Sequence, residues 1–369
     1  MLRQLTHGLV NSGLLNSALL RKTLLGKTLI RKTLLRKALL RKTIGCTIHW
    51  IAAALALGLS ASAVSAQSDY PRRPITVIVP FAAGGPTDVI ARITTEHMSR
   101  TLGQQLIIEN IVGAGGTTAS TRAMRASPDG YTIIMGHMGT HAASVALYPN
   151  LAYKPDVDFA PIGLVAGTPV LILARKDFPP SDLEAFIPYV KTNVDKLNMA
   201  HAGVGSVSFT TCLLLNHILD VKPTSVPFNG TGPALTALIA GQVDYMCDQI
   251  VNVVQQITAG QIKAYAIGTP ARSPALPDVP TAKEAGLPEF EAQAWNALFA
   301  PKDTPKPILD MLSAALDKAL DDEGTRKRLL ELGSVLPDKT GRSQQALQGL
   351  VTSEIARWTP IIKAAGPQN

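Results

Sequence analysis

The chain has 369 residues, of which 46% are hydrophobic and 5% aromatic, which is enough for a packed core and for two or three domains. Residues 1–66 hold ten Lys and Arg and no acidic residue, so subtracting them from the chain's 35 leaves 25 basic against 27 acidic residues. The formal charge of +8 therefore belongs to the N-terminus, and it gives no reason to expect a nucleic-acid partner for the folded body.

Residues 1–66 have the pattern of an export leader. Residues 19–43 are five copies of a basic pentapeptide of the LLRKT type, and an apolar stretch of signal-peptide length follows at 44–59. This stretch is shorter than the roughly 20 residues of a membrane span. Val64 and Ala66 give the small-residue pattern for cleavage after about Ala66. We expect a periplasmic mature protein, with an uncleaved anchor as the alternative.

The first part of the mature chain alternates strand and helix patterns. Apolar, β-branched runs predict strands at 75–80, 106–109 and 131–135, and small-residue or amphipathic helices follow the first two. This alternation predicts a parallel sheet with helices on both faces. Residues 162–174 hold two apolar runs broken by Gly-Thr-Pro, which indicates a crossing from one lobe to another.

A second set of strand–helix units follows the crossing. Strands are predicted at 197–200, 224–227, 243–246 and 262–267, an apolar run lies at 294–300, and long amphipathic helices are predicted at about 305–321 and 343–364. A Pro-rich connector at 270–288 returns the chain to the first lobe. We predict two α/β lobes, the first made of 67–168 and 291–369 and the second of 169–290.

Three cysteines are present, of which Cys46 lies in the leader. The other two, Cys212 and Cys247, could form one disulfide in an oxidising compartment. Because they are well separated in the sequence, we favour two buried free thiols.

Three glycine-rich turns join a strand end to a helix start, at 83–88, 203–206 and 229–233. Glycine lets the backbone adopt positive φ and approach a ligand, and a helix N-terminus offers unpaired N–H groups and partial positive charge. Thr87 and Ser206 can cap a helix or donate a hydroxyl. One such turn is ordinary connection chemistry. Three from two lobes favour an anion site in a cleft, built without Lys or Arg.

Enzyme interpretations find little support. His137 and His141 have i, i+4 spacing but lack the Glu of the zinc-protease helix, and Ser206 with His201 is the nucleophile–base pair that can be proposed. Asp248 falls at a predicted strand end, where it faces the cleft or caps a helix. The glycine turns match no dinucleotide or Walker fingerprint. We expect no catalysis, no metal and no cofactor.

Several long motifs in order resemble the Bug-type (TctC-type) receptors of tripartite tricarboxylate transporters. They are PITVIVPFAAGGPTDVIAR, IIENIVGAGGTTAS, PDGYTIIMG, HAGVGSVSF, VPFNGTGPALTALIAGQVDYM and PALPDVPTAKEAGLPEFEAQAWNALFAPKDTP. The resemblance covers the chain from about Tyr70 onward. It implies a type II periplasmic-binding-protein fold with a ligand cleft between two α/β lobes. It also implies capture of a small carboxylate for a permease of one large and one small membrane subunit. We expect the receptor to be a monomer.

The resemblance also implies the ligand-binding residues. Carried over to this sequence, they are Ala83, Gly84, Gly85, Thr87, Asp88, Thr140, Gly203, Gly205, Ser206 and Asp248. Asp248 suits a ligand amine or hydroxyl better than a carboxylate, because two like charges repel. An acidic amino acid is therefore an alternative to a di- or tricarboxylate.

This chain departs from the family pattern at three positions. It has Phe209 where the family often has His, Asn229 where it often has Arg or Lys, and Asp248-Gln249 where it often has Asp-Asn. These departures bear on the ligand rather than on the fold. A ligand sensor for a signalling partner is the alternative function, and an exported hydrolase is a weaker one.

Overall fold

The computed structural model describes residues 70–365. The predicted leader, its cleavage site and Cys46 lie outside these residues. The strands are β1 (Ile75–Val79), β2 (Leu106–Asn110), β3 (Thr132–His137), β4 (Phe159–Arg175), β5 (Asn198–His201), β6 (Thr224–Pro227), β7 (Tyr245–Gln249), β8 (Ile262–Ile267) and β9 (Gln293–Pro301). The helices are α1 (Pro86–Leu102), α2 (Thr117–Met124), α3 (Ser144–Leu147), α4 (Leu183–Asn193), α5 (Val207–Leu219), α6 (Thr231–Ile239), α7 (Ile250–Thr258), α8 (Lys306–Asp321), α9 (Glu323–Glu331) and α10 (Gln344–Ala364).

The strands pair in the order β2-β1-β3-β9-β4-β7-β5-β6, with β8 also paired to β4. Parallel pairs join β1 to β2 and β3, and β5 to β6 and β7, as the strand–helix alternation predicts. The prediction of a parallel sheet is wrong for β4 and β9, which pair antiparallel with each other and with their neighbours. Both strands carry the chain between the two parallel groups and lie outside the repeating strand–helix units that give parallel pairing.

Strand β4 is continuous through the Gly-Thr-Pro interruption. It pairs with β9 as far as Pro169 and with β7 and β8 from Val170 and Leu171 onward. We call the elements around β1–β3 the first lobe and those around β5–β8 the second lobe; β4 and β9 are the crossing strands. The change of pairing partners at Pro169 falls at the predicted crossing, and the lobe boundaries at 168/169 and 290/291 stay a prediction.

Helix α1 shows how local sequence places a turn at the cleft. Gly85 occupies the N-cap position and Pro86 the first helical position, where a missing N–H has no cost. Ile90 and Met98 are fully buried on its inner face, and the helix ends at Gly103 with a left-handed φ of 68°. Burial of this face fixes the helix against the sheet, so that its N-terminus points at the cleft.

The prediction of two free thiols is wrong: Cys212 and Cys247 form a disulfide. Cys212 lies in α5 and Cys247 in β7, and their Cα atoms are 5.3 Å apart, within the usual range for a bridge. Separation by 35 residues says nothing about distance in space once α5 packs on the sheet. The disulfide ties the helix that Ser206 caps to the strand that ends beside Asp248.

Helix α4 was not predicted from the sequence. It contains Pro188, which reads as a helix breaker in a sequence, yet the helix keeps Phe186 and Val190 buried on one side. Asp182 caps this helix by accepting a hydrogen bond from the Ala185 N–H group.

No helix among residues 70–365 is both long and apolar enough to cross a membrane.

Candidate functional site

Four helix N-termini converge on one small cavity between the lobes. The cavity has a volume of about 20 Å³, which is room for about one water molecule. It is lined by Phe81, Pro86, Thr87, His137, Ala202, Ser206, Val207, Ser208, Thr231 and Gln249. These residues include the starts of α1, α5, α6 and α7. Within the described part of the chain, no Lys or Arg lines the cavity. Unpaired N–H groups and helix dipoles therefore make the cavity electropositive.

The first-lobe turn is held by Asp88 rather than by a ligand-facing charge. Its Oδ2 accepts hydrogen bonds from the Gly84 N–H (2.9 Å) and the Arg92 Nε–H (2.8 Å), and its Oδ1 accepts from Asn110 (3.0 Å). Burial opposes ionisation, but these hydrogen bonds and the Arg92 charge hold the pKa of Asp88 below its usual value. Asp88 therefore stabilises the turn in which Gly84 adopts a φ of 83°.

The second-lobe turn is closed by Ser206. As the N-cap of α5, its Oγ accepts a hydrogen bond from the Phe209 N–H at 3.1 Å, and it lies 3.1 Å from the Ser208 Oγ. Thr87 differs, because Gly85 and not Thr87 is the N-cap of α1. Thr87 is 3% exposed and lines the cavity from the first lobe, opposite Ser206.

Asp248 is fully buried at the end of β7. Its Oδ1 accepts from the Gln249 N–H at 2.8 Å, its Oδ2 accepts from the Asn252 side chain at 2.5 Å, and Thr231 adds a further hydrogen bond. Burial raises the pKa of Asp248 to about 7 despite these bonds. The carboxyl thus joins the starts of α6 and α7. It keeps its proton at pH values where an ordinary Asp is ionised.

His137 lines the cavity from the first lobe and was not predicted as a binding residue. Its Nδ1 accepts a hydrogen bond from the Gly139 N–H at 2.8 Å, and burial lowers its pKa to about 3. The neutral ring therefore carries its proton on Nε2, where it is a donor. The ring stacks on Phe81, with centroids 5.1 Å apart. Its position at a strand end was the signal that the sequence offered.

Thr140 lies behind His137 in a π-helical turn, Gly139–Ala143. Its hydroxyl is 3.2 Å from the His137 N–H, 3.3 Å from the His137 carbonyl and 2.9 Å from the His141 Nδ1. Both the residue and its hydroxyl are buried. Thr140 therefore shapes the turn that presents His137.

The lobes touch around the cavity. The Tyr148 hydroxyl lies 2.5 Å from the Val204 carbonyl oxygen and 2.9 Å from that of Ala114, and the Ala82 N–H donates to the Asn229 carbonyl at 3.2 Å. The contacts with Val204 and Asn229 join turns that belong to different lobes, whereas the contact of Tyr148 with Ala114 lies within the first lobe. The structure is therefore a closed form of the cleft.

Glycines allow this close approach. A Cβ atom on Gly115 would overlap the Val204 carbonyl oxygen, and one on Gly139 would overlap the carbonyl oxygen of Gly205. Gly85 differs, since a Cβ there would meet Thr231 at an ordinary 3.5 Å. Part of the glycine signal in the sequence thus reflects lobe closure.

A groove of about 580 Å³ adjoins the cavity and shares Phe81 and Ala202 with it. Its other walls come from loops of both lobes, including Tyr148 and Asn229. A ligand larger than water reaches the cavity only if these loops separate.

The structure brings the predicted turns of both lobes together but divides their residues by role. Thr87 and Ser206 line the cavity, Ala83 and Gly84 are exposed in the turn that precedes Thr87, and Gly85, Gly203 and Gly205 shape the turns. Asp88, Thr140 and Asp248 are buried behind the turns. The cavity residues outside the predicted ligand-binding set are Phe81, Pro86, His137, Ala202, Val207, Ser208, Thr231 and Gln249, of which Thr231 lies in a predicted turn and Gln249 at a noted departure from the family pattern.

The nucleophile–base pair proposed from the sequence does not form. His201 Nε2 lies 2.6 Å from the Ser225 Oγ, and its Nδ1 accepts from the Gly203 N–H at 3.0 Å. Both ring nitrogens of His201 are thus engaged away from Ser206. Among residues 70–365, no group of three or more His, Cys, Asp and Glu could hold a metal ion.

The fold and cleft define a solute receptor of the two-lobed periplasmic binding type. Known proteins of similar sequence and structure belong to the same class. The profile of the TctC family, described as the tripartite tricarboxylate transporter family receptor, matches residues 90–366. An Agrobacterium vitis relative, the UPF0065 protein in the TAR-I ttuE-ttuC' intergenic region, is 44% identical over 317 residues. That match covers 86% of this chain and 91% of the relative. The chain belongs to the TctC family of receptors, as its motifs predict.

Two solved structures extend this result. MatC from Rhodopseudomonas palustris, determined with bound malate, has 56% identity and a TM-score of 0.78, covering 79% of this chain and all of its own. The periplasmic binding protein BugD has 43% identity and a TM-score of 0.78, and the match covers 81% of this chain and 99% of BugD. The predicted two-lobed α/β fold is confirmed, and the family is one of solute-binding receptors rather than enzymes.

Replacing Gly115 with Ala should hold the lobes apart. Gly115 has a φ of 59°, and its new Cβ would overlap Val204 across the cleft. Gly103→Ala is the matched control, because its φ of 68° imposes similar strain while the space around it is open. Pulsed electron resonance between spin labels at the exposed Ile107 and Ile239 measures the lobe separation. Equal distance distributions in the two variants would contradict this account of closure.

Replacing Asp248 with Asn should make the protein progressively more stable than the wild type between about pH 4 and pH 7. The unfolded carboxyl ionises near its ordinary pKa of 3.8, whereas the folded one keeps its proton to about pH 7. Ionisation therefore favours the unfolded wild type across this window, and the difference levels off above it. Urea unfolding at several pH values measures it. A difference that does not vary with pH would show that Asp248 is already ionised in the folded protein.

Proposed function

We propose that the mature protein captures a small carboxylate, a di- or tricarboxylate or an acidic amino acid, for a tripartite tricarboxylate-type transporter. The observation that carries this proposal is the convergence of four helix N-termini and neutral donors on one interlobe cavity. Such a site binds anions without a cationic side chain. The malate bound to MatC, at 56% identity, supports a ligand of this class.

In this proposal both lobes supply donors to the ligand. The turns at Ala83, Gly84, Gly85, Gly203 and Gly205 and the hydroxyls of Thr87 and Ser206 contact it, while the Gly84 and Gly203 N–H groups themselves donate to Asp88 and His201. Asp88, Thr140 and Asp248 hold the turns from behind. Asp248 is compatible with an anion because burial raises its pKa to about 7, so that its neutral form can persist beside a carboxylate. A ligand ammonium group would instead favour the ionised form, which keeps the acidic amino acid as the second candidate.

Ligand capture requires the closed cleft to open. The crossing strands β4 and β9 run side by side between the two groups of parallel strands, and we propose that they form the hinge. The small cavity and the cross-lobe contacts of Tyr148 and Ala82 support a cycle of opening and closure.

The finer cellular assignments rest on the family and the leader pattern. We propose a monomer exported to the periplasm, with its signal peptide removed after about Ala66. Its partners would be the ligand and the large and small permease subunits. Sensing for a signalling partner differs only in what reads the closed state, so loss of uptake in a strain lacking this receptor would favour transport.

Binding is tested with residues 67–369, unfolded and refolded to remove ligand carried from the host. A carboxylate at 100 times its dissociation constant should add about 2.7 kcal/mol to the free energy of unfolding. The panel is malate, succinate, citrate, aspartate and glutamate, with the uncharged diamide of malate as the matched control. Calorimetry with no response to any carboxylate would sink the proposal. Conversion of the ligand during incubation, followed by NMR, would support the hydrolase.

Thr87→Val should weaken carboxylate binding about tenfold, which corresponds to 1–2 kcal/mol for one hydrogen bond to a charged group. The substitution keeps the side-chain shape and removes the hydroxyl that lines the cavity. Thr87→Ser keeps the hydroxyl and should bind within a few-fold of the wild type. Isothermal calorimetry measures both. Equal affinities for Val and Ser would show that the hydroxyl makes no ligand contact.

A further inference from the structure

Three buried polar side chains meet where the crossing strands run side by side. Thr168 of β4 donates its hydroxyl hydrogen to the Gln249 Oε1 at 2.6 Å, and the Asn296 Nδ2 of β9 lies 3.3 Å from the same oxygen. The Asn296 Nδ2 is also 3.4 Å from the Thr168 Oγ1. Thr168 and Asn296 are fully buried and Gln249 is 3% exposed. Both crossing strands are therefore bonded to the oxygen of one carboxamide.

The Nε2 group of this carboxamide is not bonded to the crossing strands. A Gln side chain has an acceptor oxygen and a donor nitrogen with two hydrogens, and the oxygen here takes both bonds from the crossing strands. Gln249 also lines the cavity between the lobes. Since buried donors are almost always hydrogen-bonded, a carboxamide in this place supplies an N–H donor to whatever occupies the cavity.

Hydrogen bonds hold the backbone of Gln249 in place as well as its side chain. Its N–H donates to the Asp248 Oδ1 at 2.8 Å, and the residue is the N-cap of α7. The crossing strands are the segments about which the lobes would move, so a group bonded to both strands keeps its place when the other turns separate. Thr87 and His137 differ, because they lie on the first lobe and move with it.

We propose that Gln249 is a specificity-determining ligand residue, whose Nε2–H group donates to a carboxylate or hydroxyl oxygen of the ligand in the open and the closed cleft alike. Thr168 and Asn296 are positioning residues that present the nitrogen rather than the oxygen. The inference rests on the proposed function and narrows its ligand class. An N–H donor repels a ligand ammonium group, so the site selects hydroxy- or unsubstituted dicarboxylates over acidic amino acids.

Gln249→Glu tests this selection, because it keeps an oxygen for Thr168 and Asn296 and replaces the donor nitrogen by an oxygen. Malate affinity should fall at least tenfold at pH 8.5, and the ratio of aspartate to malate affinity should rise. Gln249→Met removes donor and acceptor and should weaken malate binding without the shift toward aspartate. The control is Gln255→Glu, which makes the same change at an exposed position of the same helix and should leave both affinities unchanged.

Positioning by Thr168 is tested with Thr168→Val, which removes one of the two hydrogen bonds that orient the carboxamide and keeps the Gln249 nitrogen as a donor. Malate affinity should fall less than in Gln249→Met, and Thr168→Ser should restore it. The side-chain ¹⁵N signal of Gln249, assigned by its absence in Gln249→Glu, should shift when malate is added to the wild type.

The outcomes separate the two proposals. A wild type that binds no carboxylate overturns the proposed function. A wild type that binds malate while Gln249→Met and Gln249→Glu bind within twofold of it overturns the role of Gln249 alone. Lower melting temperatures in these variants, with unchanged malate affinity and an unmoved ¹⁵N signal, would make Gln249 a structural residue and likewise overturn the inference.

Discussion

The cleft depends on one electrostatic constraint: four helices must begin at the same place. Each start leaves N–H groups without intrahelical partners, and together with the aligned helix dipoles they favour an anion over water. The parallel strands on both sides of the crossing bring this about, since each strand ends where its following helix begins. The glycines, the hydroxyl at Ser206 and the buried carboxyls are then needed to shape and satisfy these turns.

Close packing of the two lobes explains features that the anion site alone does not. Backbone meets backbone at Gly115 with Val204 and at Gly139 with Gly205, where a methyl group would not fit. A closed cavity that excludes bulk water strengthens every hydrogen bond to a bound charge. The same closure blocks entry, so the Tyr148 hydroxyl and the few cross-lobe bonds must be weak enough to break repeatedly. A receptor that both captures and releases needs this balance.

The sequence predicted the regular elements well because their ends carry strong local signals. Helix α5 and strands β6 and β8 lie where predicted, each bounded by Gly, Pro or a capping residue. What it did not predict depends on contacts between distant segments. The Cys212–Cys247 bridge follows from packing of α5 on β7, and the roles of His137 and Gln249 depend on which way a side chain points at a strand end. A pattern of residue types gives the turn, but the direction of each side chain is set by its hydrogen bonds in the folded chain, such as those of Thr168 and Asn296 to Gln249.

Binding of the anion by uncharged donors also accounts for how the acidic side chains near the cavity are placed. Asp88 is ionised because Arg92 and two further donors satisfy it, and it is turned toward its own helix. Asp248 is buried without a cation, and its pKa rises to about 7, so it avoids a fixed negative charge near the cavity. An arginine in the cavity would have bound a carboxylate more strongly, but it would have carried a large desolvation cost in the closed cleft and slowed release. Helix N-termini, hydroxyls and one fixed carboxamide supply enough attraction for capture while leaving the ligand free to depart when the lobes part.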